Sequence, residues 1–276
     1  MKLSCLPVSL YDDIFSGKSS VADWIQFGAE LDLDGVDFSI KFFPLWNVRL
    51  LNSVWITLAR RGLETCMIAC YSDFTHPDPE HRAEELSKLK SDIELAKELG
   101  AKFVRVTAGQ NHPGIEHKDA VRWVTDGFLH ALDEAEKQGV TLAYENHTKG
   151  APWQYWDFSQ PSEIFLEILD ALSDTPLGVC FDTANPLVLK EDVLGLLDKV
   201  IDRVVVLHVF DMREVGEFDP VRVGTGVSPI PQIFARMRQA NYDGWLSIEE
   251  ASRQGKQGFE EAIQYVRQTW EQASSA

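Results

Sequence analysis

Short apolar runs alternate with longer amphipathic segments along most of this chain. The runs are rich in β-branched and aromatic residues, as expected for strands that are buried on both faces. Eight runs are predicted to be strands: Lys2–Leu10, Val36–Ile40, Thr65–Tyr71, Lys102–Thr107, Val140–Glu145, Leu177–Asp182, Val204–His208 and Trp245–Glu249. Strands that alternate with helices favour an α/β fold with one closed parallel (β/α)8 barrel. A length of 276 residues suits a single domain of this kind over residues 1–276.

The segments between the strands follow the 3.6-residue period of a helix. One apolar stripe covers residues 86–96, and another covers residues 164–172, with Ser162 predicted as its N-cap. Glycine is the usual residue just past a helix C-terminus, before the chain enters a strand. Six glycines are found at or just before the start of a predicted strand: Gly35, Gly62, Gly100, Gly139, Gly178 and Gly244.

Composition narrows the classes of partner and the compartment. The formal net charge is −17, whereas a protein that binds nucleic acid needs a basic face, so no nucleic-acid partner is expected. Cys5, Cys66, Cys70 and Cys180 fall in or beside strands without a paired motif, which favours small buried residues over a disulfide or a metal site. No segment approaches 18 apolar residues, and residues 1–10 do not resemble a signal peptide. These features predict a cytoplasmic protein that is not bound to a membrane.

The last four predicted strands each end in a residue that can bind a metal ion. These residues are Glu145, Asp182, His208 and Glu249, separated by 37, 26 and 41 residues. In a parallel barrel the carboxyl ends of the strands meet at one mouth, so the four side chains should converge there. The alternative is that Asp182 caps the next segment and His208 is a core histidine. Three carboxylates with one imidazole suit one divalent cation, and we predict Mn²⁺, with Mg²⁺, Co²⁺ or Zn²⁺ as alternatives.

Several motifs carry a resemblance to a known family. The resemblance covers nearly the whole chain, and its most specific segments are Tyr144-Glu145-Asn146-His147, Phe181-Asp182-Thr183-Ala184-Asn185, His208-Val209-Phe210-Asp211 and residues 242–249. The chain resembles the xylose-isomerase-like TIM-barrel superfamily, which contains sugar phosphate isomerases and epimerases. This resemblance implies an enzyme that acts on a small polyhydroxylated carbonyl compound such as a ketose, an inosose or a keto sugar.

The same resemblance implies roles for the residues at the strand ends. Glu145, Asp182, His208 and Glu249 match the family's metal ligands, and Glu145 and Glu249 match the carboxylates that transfer a proton next to a carbonyl group. Glu250 adjoins Glu249 and is an alternative ligand. Strand alternation points only one of the two inward, and the spacing after Gly244 and Trp245 favours Glu249.

Two departures from the family bear on the reaction. Asn185 occupies a position where the 3-epimerases have histidine, and Phe210 occupies the position of a lysine. A dehydratase of the inosose or dehydroshikimate type is therefore the alternative, because it begins with the same proton abstraction. An enzyme of the endonuclease IV type needs extra histidines for three zinc ions. Asn185 and the negative net charge therefore argue against this activity. A barrel that binds a sugar or a partner without catalysis is the alternative from another class.

Further residues near the predicted mouth are candidates for substrate binding. His147, Asn185 and Arg105 follow or end predicted strands, Arg222 precedes a Gly-Thr-Gly loop, and Trp153 belongs to an aromatic segment over residues 151–158. Each has a structural alternative, such as an ion pair for Arg105 or packing of the loop for Trp153. The resemblance also implies a sugar-like substrate and a homodimer or homotetramer.

Overall fold

The structure is a computed structural model that describes residues 1–44, 47–150 and 153–273. Its strands form one parallel sheet in the order β1-β8-β7-β6-β5-β4-β3-β2. The strands are β1 (Lys2–Leu6), β2 (Gly35–Ser39), β3 (Glu64–Ala69), β4 (Phe103–Val106), β5 (Thr141–Glu145), β6 (Gly178–Asp182), β7 (Val204–Val209) and β8 (Trp245–Glu249). The sheet is a nearly closed barrel, which confirms the predicted (β/α)8 TIM-barrel fold.

Helices follow the strands and cover the outside of the barrel. They are α1 (Tyr11–Phe15), α2 (Val21–Glu30), α3 (Val48–Arg61), α4 (Pro79–Glu98), α5 (His117–Gln138), α6 (Ser162–Ala171), α7 (Val193–Val200), α8 (Ile230–Gln239) and α9 (Gly255–Gln272). Short 3-10 turns lie at Val8–Leu10, Ile40–Phe42, Asn185–Leu189 and Ile201–Arg203. In the described part of the chain, no helix has the length and apolar character needed to cross a membrane.

Most predicted strand bounds differ from the observed ones by one or two residues, and two further differences lie beside a proline. β1 ends at Leu6 instead of Leu10, because Pro7 has no N–H to continue the ladder and the chain turns at Val8–Leu10. Ser162 is not the N-cap of α6 but its first residue, after the extended Pro161. Its hydroxyl donates a hydrogen bond to the carboxylate of Glu191 instead.

The predicted glycines serve two different purposes. Gly62 and Gly139 end α3 and α5 in the left-handed conformation, with φ of 69° and 68°, as expected after a helix. Gly35 instead lies in β2, where a Cβ atom would come within 2.7 Å of the Glu64 carbonyl oxygen and 2.9 Å of the Trp245 ring. At Gly35 the requirement is therefore close packing and not an unusual backbone angle.

The cysteines are part of the packed interior. Cys66 and Cys180 lie in one buried cluster with Ala143, Val206 and Trp245. All four cysteines are buried and free, which confirms that they are small buried residues and not disulfide partners.

The edge strands β1 and β2 lie side by side and are joined by two aspartates. The Leu3 amide donates to the Asp34 carboxylate at 2.8 Å, and the Asp34 amide donates back to the Leu3 carbonyl at 2.9 Å. Deeper inside, Asp37 Oδ2 accepts from the hydroxyls of Ser4 at 2.8 Å and Ser247 at 2.7 Å. Asp37 therefore links β1, β2 and β8, although its burial raises the pKa of its carboxyl group.

Replacing Asp37 tests how much this link stabilises the closed barrel. We expect Asp37→Ala to lower the free energy of unfolding by about 2–6 kcal/mol, because two buried hydroxyls lose their acceptor at about 1–3 kcal/mol each. Asp37→Asn keeps an oxygen that can accept both bonds, so it should cost less than half as much. Urea unfolding followed by circular dichroism measures both variants, and equal losses would contradict this role.

Candidate active site and metal centre

Four charged or titratable side chains converge at the carboxyl ends of β5, β6, β7 and β8. One ligand atom from each of Glu145, Asp182, His208 and Glu249 lies within 4.8 Å of all the others. Nδ1 of His208 lies 2.6 Å from Oε1 of Glu145 and 3.3 Å from Oε2 of Glu249. The arrangement brings together the residues that the sequence predicted would meet.

The strand register explains why these four residues meet. Asp182 lies directly opposite His208 on the neighbouring strand. Glu145 lies opposite Cys180, two residues before Asp182, and His208 lies opposite the residue two positions before Glu249. Because side chains two residues apart in a strand point to the same face, all four point into the barrel.

The cluster fits a divalent cation. Oδ1 of Asp182 accepts hydrogen bonds from the amides of Ala184 at 2.8 Å and Asn185 at 2.6 Å, whereas its buried Oδ2 has no hydrogen-bond partner in the described part of the chain. Two ligand atoms on opposite sides of an ion with bonds of about 2.1 Å are about 4.2 Å apart. A separation of this size fits within the 4.8 Å that contains all four ligand atoms.

The titratable groups of the cluster shift one another's pKa values. Burial raises the pKa of Asp182 well above its usual value, and the charges of Glu145 and Glu249 raise it further. Burial alone would lower the pKa of His208, but Glu249 and Glu145 raise it well above its usual value. Carboxylates and an imidazole that perturb one another in this way are typical of a metal or catalytic site.

The two glutamates differ in their surroundings. Burial opposes ionisation of Glu145, but Arg105 and His208 outweigh it and lower the pKa of Glu145 to about 2. Arg105 Nε lies 3.4 Å from Oε2 of Glu145. Burial raises the pKa of Glu249, and 22% of its side chain is exposed to the pocket compared with 1% for Glu145. Glu145 is thus an ionised and enclosed carboxylate, and Glu249 is a more basic and accessible one.

Two titratable neighbours, Glu250 and Cys180, do not add a charged ligand to the cluster. Glu250 is buried, but its carboxylate accepts hydrogen bonds from the amide and hydroxyl of Ser252 and points away from the cluster. Cys180 lies beside Glu145 and His208, yet burial raises the pKa of its thiol to about 12. A neutral thiol is a poor metal ligand.

An open pocket of about 510 Å³ lies over the cluster, and we call it the central pocket. Its wall includes Glu145, Glu249, Arg105 and His147. The imidazole Nδ1 of His147 lies 3.2 Å from the Asp157 carboxylate, which orients the ring. Arg105 and His147 were both predicted near the substrate, and the structure brings both to the pocket.

Three predicted substrate-binding residues lie outside the lining of the central pocket. Arg222 pairs with Glu261 of α9, which draws its guanidinium away from the cluster. Asn185 holds Asp182 through its amide, and its side chain accepts a hydrogen bond from Thr148 at 3.1 Å. Trp153 is buried and meets the His147 ring from behind, with ring centroids 5.4 Å apart. Residues 151 and 152 of the predicted aromatic segment lie outside the described residues.

Sequence reasoning missed two tyrosines of the central pocket. Tyr11 and Tyr71 follow β1 and β3, and their hydroxyl oxygens lie 3.5 Å apart on the pocket wall. Tyr71 also stacks on Arg105, whose guanidinium carbon lies 4.6 Å from the ring centroid. Both tyrosines follow strand ends in the sequence, and this position alone could have predicted that they lie at the mouth of the barrel.

Curated relatives share about a quarter of their residues with this chain. Endonuclease 4 of Thermus thermophilus is 26% identical over 211 residues, which cover 71% of this chain and 73% of the relative. Inosose dehydratase of Geobacillus thermodenitrificans is 25% identical over 244 residues, which cover 77% of this chain and 78% of the relative.

Solved structures share the fold at lower identity. A D-tagatose 3-epimerase-like protein superposes with a TM-score of 0.81 at 15% identity, over 100% of this chain and 99% of that one. The IOLI protein, whose structure is described with a binding zinc atom, superposes with a TM-score of 0.75 at 16% identity, over 100% of this chain and 98% of that one.

The family assignment follows from the match over most of the sequence. Residues 25–269 match the family described as Xylose isomerase-like TIM barrel. The matched region contains β2 to β8 and with them all four residues of the cluster. The chain therefore belongs to the xylose isomerase-like TIM-barrel family.

Proposed function

We propose that this protein is a divalent-metal-dependent enzyme that isomerises or epimerises a small polyhydroxylated carbonyl compound. The observation that carries the proposal is the convergence of Glu145, Asp182, His208 and Glu249 at the base of an open pocket. The names of the relatives, an inosose dehydratase and a D-tagatose 3-epimerase-like protein, support a sugar or a sugar-like substrate.

The four cluster residues would hold one cation. We favour Mn²⁺, because three carboxylates and one imidazole form an oxygen-rich set, and Zn²⁺ is an alternative in view of the zinc described for the IOLI protein. When bound, the cation would polarise the substrate carbonyl and stabilise the negative charge that develops during proton removal.

Glu249 is the better candidate for removing the proton. It is accessible from the pocket, and burial raises the pKa of its carboxyl group toward the range where a base both accepts and returns a proton. Glu145 is held in the ionised form by Arg105. We propose that in an isomerisation Glu249 passes the same proton to the neighbouring carbon. In an epimerisation, Glu145 would first take a proton from a substrate hydroxyl or from solvent and then deliver it to the other side of the same carbon.

Arg105 and His147 are suited to bind substrate oxygens. Nε of Arg105 faces Glu145, whereas its Nη1 lacks a hydrogen-bond partner in the described part of the chain, and the residue lines the pocket. His147 uses Nδ1 for Asp157, which leaves Nε2 for a substrate hydroxyl. These groups would orient the substrate so that the reacting carbon faces the two glutamates.

A dehydratase is the second candidate, and the inosose dehydratase relative favours it. It would use the same proton abstraction and then lose a hydroxyl group from the next carbon. An endonuclease is less well supported, despite the Endonuclease 4 relative, because the cluster of the described residues contains one histidine and the formal net charge is −17.

Metal binding can be tested by thermal unfolding. We expect Mn²⁺ to stabilise the protein by about 2.7 kcal/mol when the free ion exceeds its Kd a hundredfold, and EDTA to remove this effect. Asp182→Asn should lose most of the stabilisation by Mn²⁺. The metal-free variant should be more stable than the metal-free parent, because one of three mutually repelling carboxylates is gone. An unchanged stabilisation in the variant would contradict the metal site.

The roles of the glutamates can be tested with a matched pair of neighbours. Glu249→Gln should lower turnover per metal-loaded protein by about 10²–10⁴-fold, the usual contribution of a general acid or base. Glu145→Gln should have a similar effect. Glu250→Gln is the control, and it should keep both metal content and turnover within a few-fold, because Glu250 points to Ser252. Metal content by mass spectrometry separates loss of chemistry from loss of the ion.

The reaction itself can be identified by isotope uptake. The Mn²⁺-loaded protein is incubated in D₂O with a panel of ketoses, inososes and 3-keto sugars, and the products are analysed by mass spectrometry. Deuterium uptake without a change in formula is the expected result for an isomerase or epimerase. Loss of water would identify the dehydratase instead. No uptake and no loss across the panel would contradict both enzyme candidates.

A further inference from the structure

A second cavity lies beside the central pocket at the same end of the barrel. It has a volume of about 680 Å³, and we call it the distal cavity; its lining includes Lys41, Tyr71, Lys88, Asp92 and Trp153. These residues come from the segments after β2, β3 and β5 and from α4. The central pocket has enough volume for a small ligand, so the distal cavity is additional space.

Aromatic side chains form the boundary between the two cavities. Tyr71 lines both of them, with Arg105 over its ring at 4.6 Å and Lys41 at 5.9 Å. Trp153 lines the distal cavity and touches His147, which lines the central pocket. A ligand that lies across Tyr71 would therefore reach both cavities.

One face of α4 is polar where it meets the distal cavity. Glu85, Lys88 and Asp92 are spaced by three and four residues, so they form a stripe along one side of the helix. Leu89 and Ile93 are buried on the side that packs on the barrel. Asp92 is half-buried, and this burial raises the pKa of its carboxyl group to about 6. Polar groups that are only partly hydrated are suited to hydrogen bonding with a ligand.

The charges of the lining do not favour an anionic ligand. Lys41 and Lys88 are opposed by the carboxylates of Asp73, Glu85 and Asp92, and Lys88 already lies 3.5 Å from Glu85. A phosphate or carboxylate would meet more negative than positive groups here. A neutral polyhydroxylated ring would find both hydrogen-bond donors and acceptors.

Aromatic and apolar side chains also line the distal cavity, and they can contact the apolar faces of such a ring. Tyr71 and Trp153 both border the distal cavity, and Ile40, Phe43 and Pro44 add apolar surface. A sugar ring has apolar C–H faces and polar edges, so it matches a lining of aromatic surfaces and separated polar groups.

We propose that the distal cavity binds a second sugar unit, so that the substrate is a two-unit glycoside that lies across Tyr71. The unit in the central pocket would carry the carbonyl group, and this part of the inference rests on the proposed function. The unit in the distal cavity would contact Trp153 and the polar face of α4.

Lys88 offers a way to block the distal cavity without disturbing the cluster. Its side chain is 60% exposed on a surface helix, so a tryptophan there should be tolerated by the fold and fill part of the cavity. Lys97→Trp is the matched control, because Lys97 is an exposed residue in the last turn of the same helix and does not line the cavity.

The test measures binding by calorimetry in the presence of Mn²⁺. The probes are the neutral disaccharides lactulose, turanose and maltose, the single sugars fructose and glucose, and the anionic fructose 6-phosphate. We expect at least one disaccharide to bind at least tenfold more tightly than the single sugars. Lys88→Trp should remove this advantage and leave the affinity for single sugars unchanged, and Lys97→Trp should preserve it.

Other outcomes would overturn the inference. These are the absence of any disaccharide advantage, an advantage that survives Lys88→Trp, or a larger Lys88-dependent advantage for fructose 6-phosphate. The result is separable from the proposed function because it measures affinity and not turnover. Disaccharide binding without deuterium uptake, both from that disaccharide and from the single sugars, would support the distal cavity and contradict the enzyme. Deuterium uptake from single sugars without a disaccharide advantage would do the reverse.

Discussion

Three carboxylates and one imidazole lie close together at the carboxyl end of the barrel. Glu145, Asp182 and His208 are almost completely buried, and Glu249 is the most exposed of the four, at 22%. Such a concentration of negative charge is unfavourable unless positive charge accompanies it. Arg105 supplies part of this charge through Glu145. His208 supplies a further part, because Glu249 and Glu145 raise the pKa of its imidazole well above the usual value.

The backbone around the cluster holds its members in position. Asn146 links β5 to β6, since its side chain donates to the Asp182 carbonyl at 3.0 Å and accepts from the Asp182 amide at 2.8 Å. The amides of Ala184 and Asn185 donate hydrogen bonds to Oδ1 of the Asp182 carboxylate and hold it in place. Oδ1 of Asp182 therefore accepts two hydrogen bonds from the backbone, and Oδ2 remains available to a ligand. A rigid site of this kind lowers the cost of arranging ligands when a cation binds.

The barrel and the loops contribute different properties. Strands β5 to β8 carry the cluster. A site on the strands can be shared by enzymes of one family whose loops differ. The segments after β2, β3 and β5, together with α4, shape the space above it. Substrate choice in barrels of this kind depends on such segments, because they can vary without disturbing the core. The tyrosine that borders both cavities, Tyr71, connects the chemical site to the part of the molecule that would choose the substrate.

The sequence by itself determined the barrel, the order of its strands and the identity of the converging residues. Periods of two and 3.6 residues are local, and parallel strands necessarily bring their carboxyl ends together, so Glu145, Asp182, His208 and Glu249 could be grouped without coordinates. Only the tertiary structure decided between Glu249 and Glu250, because the direction of each side chain depends on Ser252 and the neighbouring strand.

Contacts between segments that are distant in the chain could not be predicted from the sequence either. Arg222 pairs with Glu261, Trp153 packs behind His147, and Tyr71 stands between two cavities. Each of these placements depends on which loop or helix lies opposite in the folded chain. No periodic pattern encodes such a pairing, because one long-range contact leaves no repeat in the sequence.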